Sequence, residues 1–427
     1  MARPLPTTKA QVSGHRFLLR RIEHGLVLGD IRMLHDPLAS RQRALVCALV
    51  VVALLALGSG LLAWLQPNPR PGDAPVVESK RGQLFVLVGE TYHPVANLSS
   101  ARIISGEPVS ARSIGEEYLT QARLGSPVGI EDAPGFLAAY SPHKQRDWAA
   151  CFAGADEEAT PSLTTIDSTP VREGEVIVVA DAGPESLSLT QGALAEFEGK
   201  QWLLSAQGRI AIPEQSSVQG RVLRRALGIA ESTFVWHLPP ELLNAFAELE
   251  PWSFPAHPPE IWDTGAGLWM SNEEGVSRLT EAQAEMLLGT GARRRDVAES
   301  DVAKQHDTEL AFNLPESPLE MVTGEQGWLC ASPGAGAALL LPREGTIELS
   351  GEGIADRFGG LSAGGIGVDS GHGYHVVAPT GLRHEVESPE TLAMLGTQVA
   401  AQVPWEILRL LPAGSQLSRE TALRVTY

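Results

Sequence analysis

The 427 residues contain five lysines, Lys9, Lys80, Lys144, Lys200 and Lys304, and they settle the first chemical question. A phosphate-cradling P-loop needs spaced glycines, a lysine for the outer phosphates and a Ser/Thr for Mg²⁺. Only Lys200 follows a glycine, Gly199; Gln201 stands where the Ser/Thr belongs, and no glycine has the required upstream spacing. Gly365-Ile366-Gly367 fails as a dinucleotide fingerprint because Ser370 occupies the third glycine position. Asp369-Ser370-Gly371 superficially suggests a hydrolase nucleophile loop, but GxSxG is absent and such tripeptides are common in glycine-rich turns. His372 and His375 form an HxxH pair without HExxH. On a strand that spacing sends the two side chains to opposite faces. His93, after Tyr92, is expected to pack rather than ligate. No metal site is expected, and no catalytic or cofactor-binding residue can be named.

The cysteines offer different chemistry. Cys47 falls in an apolar run and reads as filler. Cys151 and Cys330 are far apart, in the part of the chain assigned below to an oxidising compartment, where a disulfide is permitted. Their pairing is the expectation and two separate thiols the alternative. Trp148 reads as a core anchor shielding that bond.

The elements that must position these residues begin with a membrane span. Ala44 to Leu65 carries no charge, and its 22 residues reach about 33 Å as a helix, enough for a hydrocarbon core of about 30 Å. Arg41 and Arg43 precede it, and Trp64 marks its far end at interface depth. The 43 preceding residues hold eight Lys/Arg and three acids, a net of +5. The whole chain is −18, so the remainder carries −23. Positive flanks stay in the cytoplasm, which puts the tail inside and the acidic bulk outside. That acidity excludes nucleic acid as a partner, since a phosphate backbone requires a basic footprint.

Within the tail, Thr7-Thr8 precedes an amphipathic helical pattern, with Val12, Phe17, Leu18, Ile22 and Leu26 near helical spacing and Lys9, Arg16, Arg20 and Arg21 on a basic face. The segment Arg16, Phe17, Leu18, Arg20, Arg21 and Ile22 is expected to dock on a partner or on the anionic inner leaflet. The spacing predicts an α+β chain: residues 1–43 a basic tail, 44–65 the span, 66–75 a Pro-rich linker, and 76–427 an external domain of degenerate αβ repeats. Four loose copies of strand pair, helix, strand and short helix fall at about 82–125, 201–253, 268–316 and 371–414, around a central module at 126–200 and 317–370. The first copy keeps only the strand pair and a helical turn, and the third diverges after its first helix. Gly351 to Gly373 reads as a glycine-rich surface loop.

One resemblance ties these readings together. TTKAQVSGHRFLLRRIEHGLVLGDIRMLHDPLASRQRAL before the span, YHPVANLSSARIISGEP after the linker, and the final LLPAG module closely resemble the EccB family of actinobacterial type VII (ESX) secretion systems. The resemblance implies a single-pass inner-membrane subunit of the secretion core, with a cytoplasmic N-terminus and a periplasmic repeat domain carrying a disulfide. It implies EccC-, EccD- and EccE-like partners and self-association through the periplasmic domain. Family members are commonly described as ATPases, so ATP enters by family description only, and no cofactor is otherwise expected. A weak ATP hydrolase or a cell-wall-binding domain are the competing functions.

Overall fold

The computed structural model describes residues 8–29, 31, 37–65, 72–138, 147–154, 174–332, 334 and 336–425. Most of the Pro-rich linker, the side chains of Arg41 and Trp64, and the EEATPSL segment lie outside the described residues. The chain divides into two compact units, residues 1–69 and 70–427.

In the first unit, helix α1 (Lys9–Leu28) starts at a capping box: the Thr8 hydroxyl accepts from Gln11 N, and the Gln11 amide oxygen accepts from Thr8 N. Gly29, at a left-handed φ of 67°, ends it. Helix α2 (Pro37–Leu65) contains the apolar run, and Arg43–Leu62 is long and apolar enough to cross a membrane, with none of it buried in the protein.

The second unit repeats one design four times. The first copy comprises β1 (Val76–Ser79), β2 (Leu84–Val88), β3 (Thr91–Val95), α3 (Leu98–Ser105), β4 (Arg112–Ile114), α4 (Glu116–Gln121) and a short β5 (Arg123–Leu124). Three central strands follow, β6 (Ala149–Phe152), β7 (Val176–Val179) and β8 (Glu185–Ser186). The second copy holds β9 (Gln191–Phe197), β10 (Lys200–Ser205), β11 (Gly208–Ala211), α5 (Val218–Leu227), β12 (Val235–His237) and α6 (Pro240–Leu243). The third holds β13 (Glu260–Asp263), β14 (Leu268–Ser271), β15 (Val276–Leu279), α7 (Glu281–Gly289), β16 (Arg293–Asp296) and α8 (Glu299–Val302). After β17 (Glu320–Met321) come the central strands β18 (Trp328–Ala331), β19 (Ala337–Leu340), β20 (Thr346–Glu348) and β21 (Arg357–Gly359). The fourth copy is β22 (Ile366–Asp369), β23 (Tyr374–Val377), β24 (Arg383–Val386), α9 (Pro389–Leu395), β25 (Val399–Gln402) and α10 (Trp405–Leu408), followed by α11 (Arg419–Ala422).

In every copy three strands form an antiparallel meander, a helix crosses over, and the next strand returns parallel to the first, giving the order 4-1-2-3. After the short second helix the chain bridges the third strand in parallel, at Val95–Val128, Arg209–Glu248, Val276–Asp307 and Arg383–Ala413. The crossover helices start where a polar side chain accepts from the backbone N three residues on: Asn97, Ser217, Thr280 and Ser388. Three of them end on left-handed glycines, Gly106, Gly228 and Gly396.

The α+β repeat architecture expected from the sequence is therefore present, with three differences of detail. All four copies begin one strand earlier than the spacing suggested, at β1, β9, β13 and β22. The first and third copies carry the full set of elements rather than a remnant. The stretch 351–373 is not a surface loop but holds two buried strands, β21 and β22. Its glycines allow close backbone approach: a Cβ at Gly360 would fall 1.6 Å from Ala180 O, and one at Gly367 would fall 2.7 Å from Gln398 O.

Between the copies lies a seven-stranded sheet, β20-β21-β7-β6-β18-β19-β8. Cys151 and Cys330 face each other across the β6–β18 ladder, with Cα atoms 3.9 Å apart, and are joined by a disulfide. Strand alternation puts Trp148, Ala150 and Phe152 on the opposite face from Cys151. Trp148 therefore anchors the other side of the sheet, with its ring centroid 6.1 Å from that of Phe358, and does not shield the bond. Trp328, with Ile177, Val179 and Leu340, covers it instead.

The copies pack in two pairs. Helix α3 of the first lies against α9 of the fourth, where Arg102 Nη1 donates to Leu395 O. Helix α5 of the second lies against α7 of the third, and Gly289 admits Val222 at a distance that a Cβ would close to 2.9 Å. Leu223 joins Ile261, Met270 and Leu287 in one core.

The disulfide closes 179 residues of sequence. Replacing both partners, Cys151→Ala with Cys330→Ala, is expected to lower unfolding free energy by about 3–5 kcal/mol in the chain-entropy picture. Denaturant titration followed by tryptophan fluorescence measures it, and an unchanged midpoint would contradict the assignment.

Candidate assembly site

The tail helix is the part of the first unit with exposed recognition chemistry. At the helical period Val12, Leu18, Leu19, Ile22 and Leu26 share one stripe, and all are exposed. Arg16, Arg20 and Arg21 occupy the other side, with Phe17 among them and 54% exposed. The helix thus offers an apolar stripe beside a cationic one that also carries an aromatic ring. His24, on the same helix, is buried.

Residues that could have carried catalysis do not converge. Lys200 is exposed at the start of β10, beside the β9–β10 turn, where Glu198 and Gly199 both take positive φ. Gly365-Ile366-Gly367 runs into buried β22 instead of opening a helix. Ser370 and His375 do meet, with Oγ and Nε2 3.3 Å apart. The Ser370 hydroxyl, however, donates to Gly373 O at 2.9 Å, so its proton stabilises the turn. Nδ1 of His375 is buried and, among the described residues, has no partner, so no carboxylate orients the ring. Trp405 stacks on His375, with centroids 5.6 Å apart. This pair is turn architecture. His372 is exposed in the turn before β23, away from any second ligand, and no His/Cys/Asp/Glu metal cluster occurs among the described residues.

Sequence reading missed a linkage between the first and fourth copies. His93 Nδ1 and His384 Nδ1 each lie 2.9 Å from a serine carbonyl, Ser126 O and Ser415 O. In both cases a glycine packs flat on the ring: a Cβ on Gly125 or Gly414 would come within 2.4 Å of it. The recurring His and Gly-Ser, 32 and 30 residues apart, were the available signal. At His384 the linkage crosses between copies, because Ser415 N donates to Asp132 Oδ2 at 2.8 Å. Burial holds His384 below the ordinary histidine pKa, against opposing contributions from its bond to Ser415 and from the Asp132 charge; nearby Arg383 lowers it further. Its Nε2 is buried without a partner among the described residues, so a second ring proton would have no acceptor. Burial and Arg383 also lower His375, partly offset by Glu385 and Asp369. At Asp132 burial acts upward, but the bonds from Ser415 outweigh it and hold the carboxyl below its usual range.

Comparison with known proteins bears on the whole chain. The model of the family "Type VII secretion system ESX-1, transport TM domain B" matches residues 5–338 and 360–426. The chain is 30% identical over 472 residues to the ESX-1 secretion system ATPase EccB1 of Mycolicibacterium smegmatis (strain MKD8), covering 98% of this chain and 95% of that relative. It is 27% identical over 476 residues to the ESX-5 secretion system ATPase EccB5 of Mycobacterium tuberculosis (strain ATCC 25618 / H37Rv), covering 98% and 93%. Its fold resembles a chain in the structure of an intact ESX-5 inner membrane complex, with a TM-score of 0.63 at 22% identity, covering 100% of this chain and 97% of that one. It also resembles the EccB3 dimer from the ESX-3 core complex, with a TM-score of 0.65 at 20% identity, covering 82% and 100%.

His375 and His384 have folded pKa values below their unfolded ones. Their contribution to stability is complete above the unfolded value, near about 6.5, and is lost as pH falls through it toward the folded value. Asp132 acts in the same direction at lower pH. The thermal midpoint is therefore expected to fall as buffer is taken from about pH 7.5 to about pH 5.5, and to fall less in His384→Asn. A midpoint flat across that range would contradict the buried neutral assignment.

Proposed function

This chain belongs to the EccB family of type VII secretion systems, and we propose that it works as a structural and assembly subunit of the inner-membrane secretion core, supporting export of protein substrates. The observation that carries this is the extent of the family match, which runs through tail, span and repeats rather than through one module.

Several finer points belong to the proposal. The tail faces the cytoplasm and the repeat domain the periplasm, an orientation supported by the +5 tail against the −23 remainder. Arg16, Phe17, Leu18, Arg20, Arg21 and Ile22 dock on the cytoplasmic face, where EccC-, EccD- and EccE-like subunits and the anionic leaflet are the available surfaces. The repeat domain associates with copies of itself. In the solved ESX-3 relative the corresponding chain is described as a dimer.

The relatives carry the word ATPase in their names. Nothing in the site geometry favours nucleotide hydrolysis for this chain. Among the described residues, two clefts of about 710 and 590 Å³ have no Lys or Arg in their walls, and in a third, of about 320 Å³, Arg294 is paired with Asp263, whereas a triphosphate needs free cations.

Deleting residues 1–43 is expected to abolish co-purification with the other membrane subunits while leaving the unfolding midpoint of the repeat domain unchanged; an intact complex would contradict the docking role. The charge reversal Arg16→Glu, Arg20→Glu and Arg21→Glu should weaken the same association without unfolding the helix. Separately, ATP turnover by the purified chain is expected to equal that of Lys200→Ala. A rate that drops with Lys200→Ala would establish a hydrolytic site and overturn the present reading.

A further inference from the structure

The third copy differs from the other three in what it leaves uncovered. Ile261 and Met270 face the core under α7, so strand alternation turns Trp262 and Trp269 to the opposite side of the sheet. In the second and fourth copies that opposite side shares a core with the central sheet, through Ala195 and Leu204 and through Ile366 and Val368. In the first copy Val77, Phe85 and Ile114 pack there with Leu119 of α4. In the third, Trp262 and Trp269 stay half-buried and join no hydrophobic cluster among the described residues.

Across this face the strand registers align one row of side chains, Arg278, Trp269, Trp262 and Arg295. Arg293 stands two residues before Arg295 on the same side of β16, opposite Glu260. All three arginines are exposed. Glu260 is already engaged: it accepts from Trp262 Nε1 at 2.9 Å and lies 3.7 Å from Arg295. The side chains of Arg278 and Arg293 have no hydrogen bond or ion pair among the described residues. Arg294 points to the α7 side, where it pairs with Asp263.

The backbone of β16 is open as well. It is the outermost strand of its sheet, and Arg293 to Asp296 are all exposed, whereas the corresponding strands β4 and β12 each bury a residue. Arg293 N donates to Pro259 O at 3.4 Å and Val297 N to Asp263 O at 2.9 Å, so the odd-numbered residues turn their backbone toward β13. The N–H and C=O groups of Arg294 and Asp296 therefore point away from the sheet, without a backbone partner among the described residues. Charges on an edge strand commonly guard it against pairing. Arginines guard poorly in a region that carries a net of −23, since they repel basic strands and attract acidic ones.

We propose that the open edge of β16 receives an extended acidic segment of a partner polypeptide, which adds a fifth strand to the four of this sheet. The outward groups of Arg294 and Asp296 supply the main-chain bonds, and carboxylates at alternating positions of the segment pair with Arg293 and Arg295. Side chains two residues apart on a strand share a face at a spacing of about 7 Å, so every second side chain of the partner meets an arginine. The row from Arg295 to Arg278 gives the rest of the partner an aromatic surface with cationic margins. Anionic lipid headgroups would also meet the arginines, but they make no use of an unpaired strand edge, and that favours a peptide. The inference does not rest on the orientation or the companions proposed above, so it can fail while they stand.

The probe is a capped, fluorescent octapeptide of alternating valine and glutamate, titrated into the detergent-solubilised full chain. Anisotropy reads its binding, and hydrogen exchange with mass spectrometry reads β16. The expected result is saturable binding with slowed exchange across residues 293–297, and no binding of the matching valine–lysine peptide. Arg293→Gln with Arg295→Gln should weaken binding about tenfold. Asp296→Pro keeps every arginine and makes the strand less acidic, yet it removes an outward donor, and it should also weaken binding about tenfold. Thermal melts check that both variants are folded. Absence of binding up to millimolar concentration, binding without slowed exchange at 293–297, or binding unaffected by the glutamine pair would each overturn the proposal. So would a second copy of the chain on this edge, seen as a lower oligomeric mass in the glutamine pair, or phosphatidylglycerol vesicles that bind through these arginines where the peptide does not.

Discussion

The fold of the repeat domain depends on one strand pair, β6 against β18, stapled by Cys151–Cys330. The second and third copies, residues 191–302, are inserted between the two halves of the central sheet, and the first and fourth copies flank it. The chain is nested: outer copies pair with each other, inner copies pair with each other, and the central sheet joins them. Pairing strands so far apart in sequence carries a large loop-closure entropy, and a covalent link between them removes much of that entropy from the unfolded ensemble. The sheet also shares one continuous core with the second and fourth copies, in which Trp148, Trp236, Phe358 and Leu408 are buried together.

Much of this was legible in the sequence because each copy repeats the same local signals. Polar caps at Ser217, Thr280 and Ser388, closing glycines at Gly228 and Gly396, and Pro404 ahead of the last short helix mark the units without any alignment. The first strand of each copy was missed, and in the second and fourth copies for a physical reason. QGALAEF has little β-branched character, and IGVD sits in a run of glycines, so neither carries strand propensity of its own. Their pairing is imposed by neighbours on both sides. The same applies to residues 351–373, where composition suggests a loop and close backbone approach makes strands.

The candidate site divides differently. The exposed tail helix could be read in outline, but Phe17, assigned to the apolar pattern, falls among the arginines, and Leu19 takes its place in the apolar stripe. The failure of every nucleotide and hydrolase motif was plain, and the structure adds that Ser370 and His375 meet only to close a turn. What could not be read were contacts between distant segments. Asp132 and Ser415 are 283 residues apart. Their meeting follows from the pairing of copies, which no local pattern encodes.

The central claim is that this chain works as a building subunit of a membrane complex. Native mass spectrometry of the tagged full chain, extracted from its own membranes in mild detergent, tests it most directly. The expected spectrum contains several copies of this chain in fixed ratio with other secretion subunits. A chain recovered alone and monomeric, with no companion subunit at stoichiometric abundance, would contradict it.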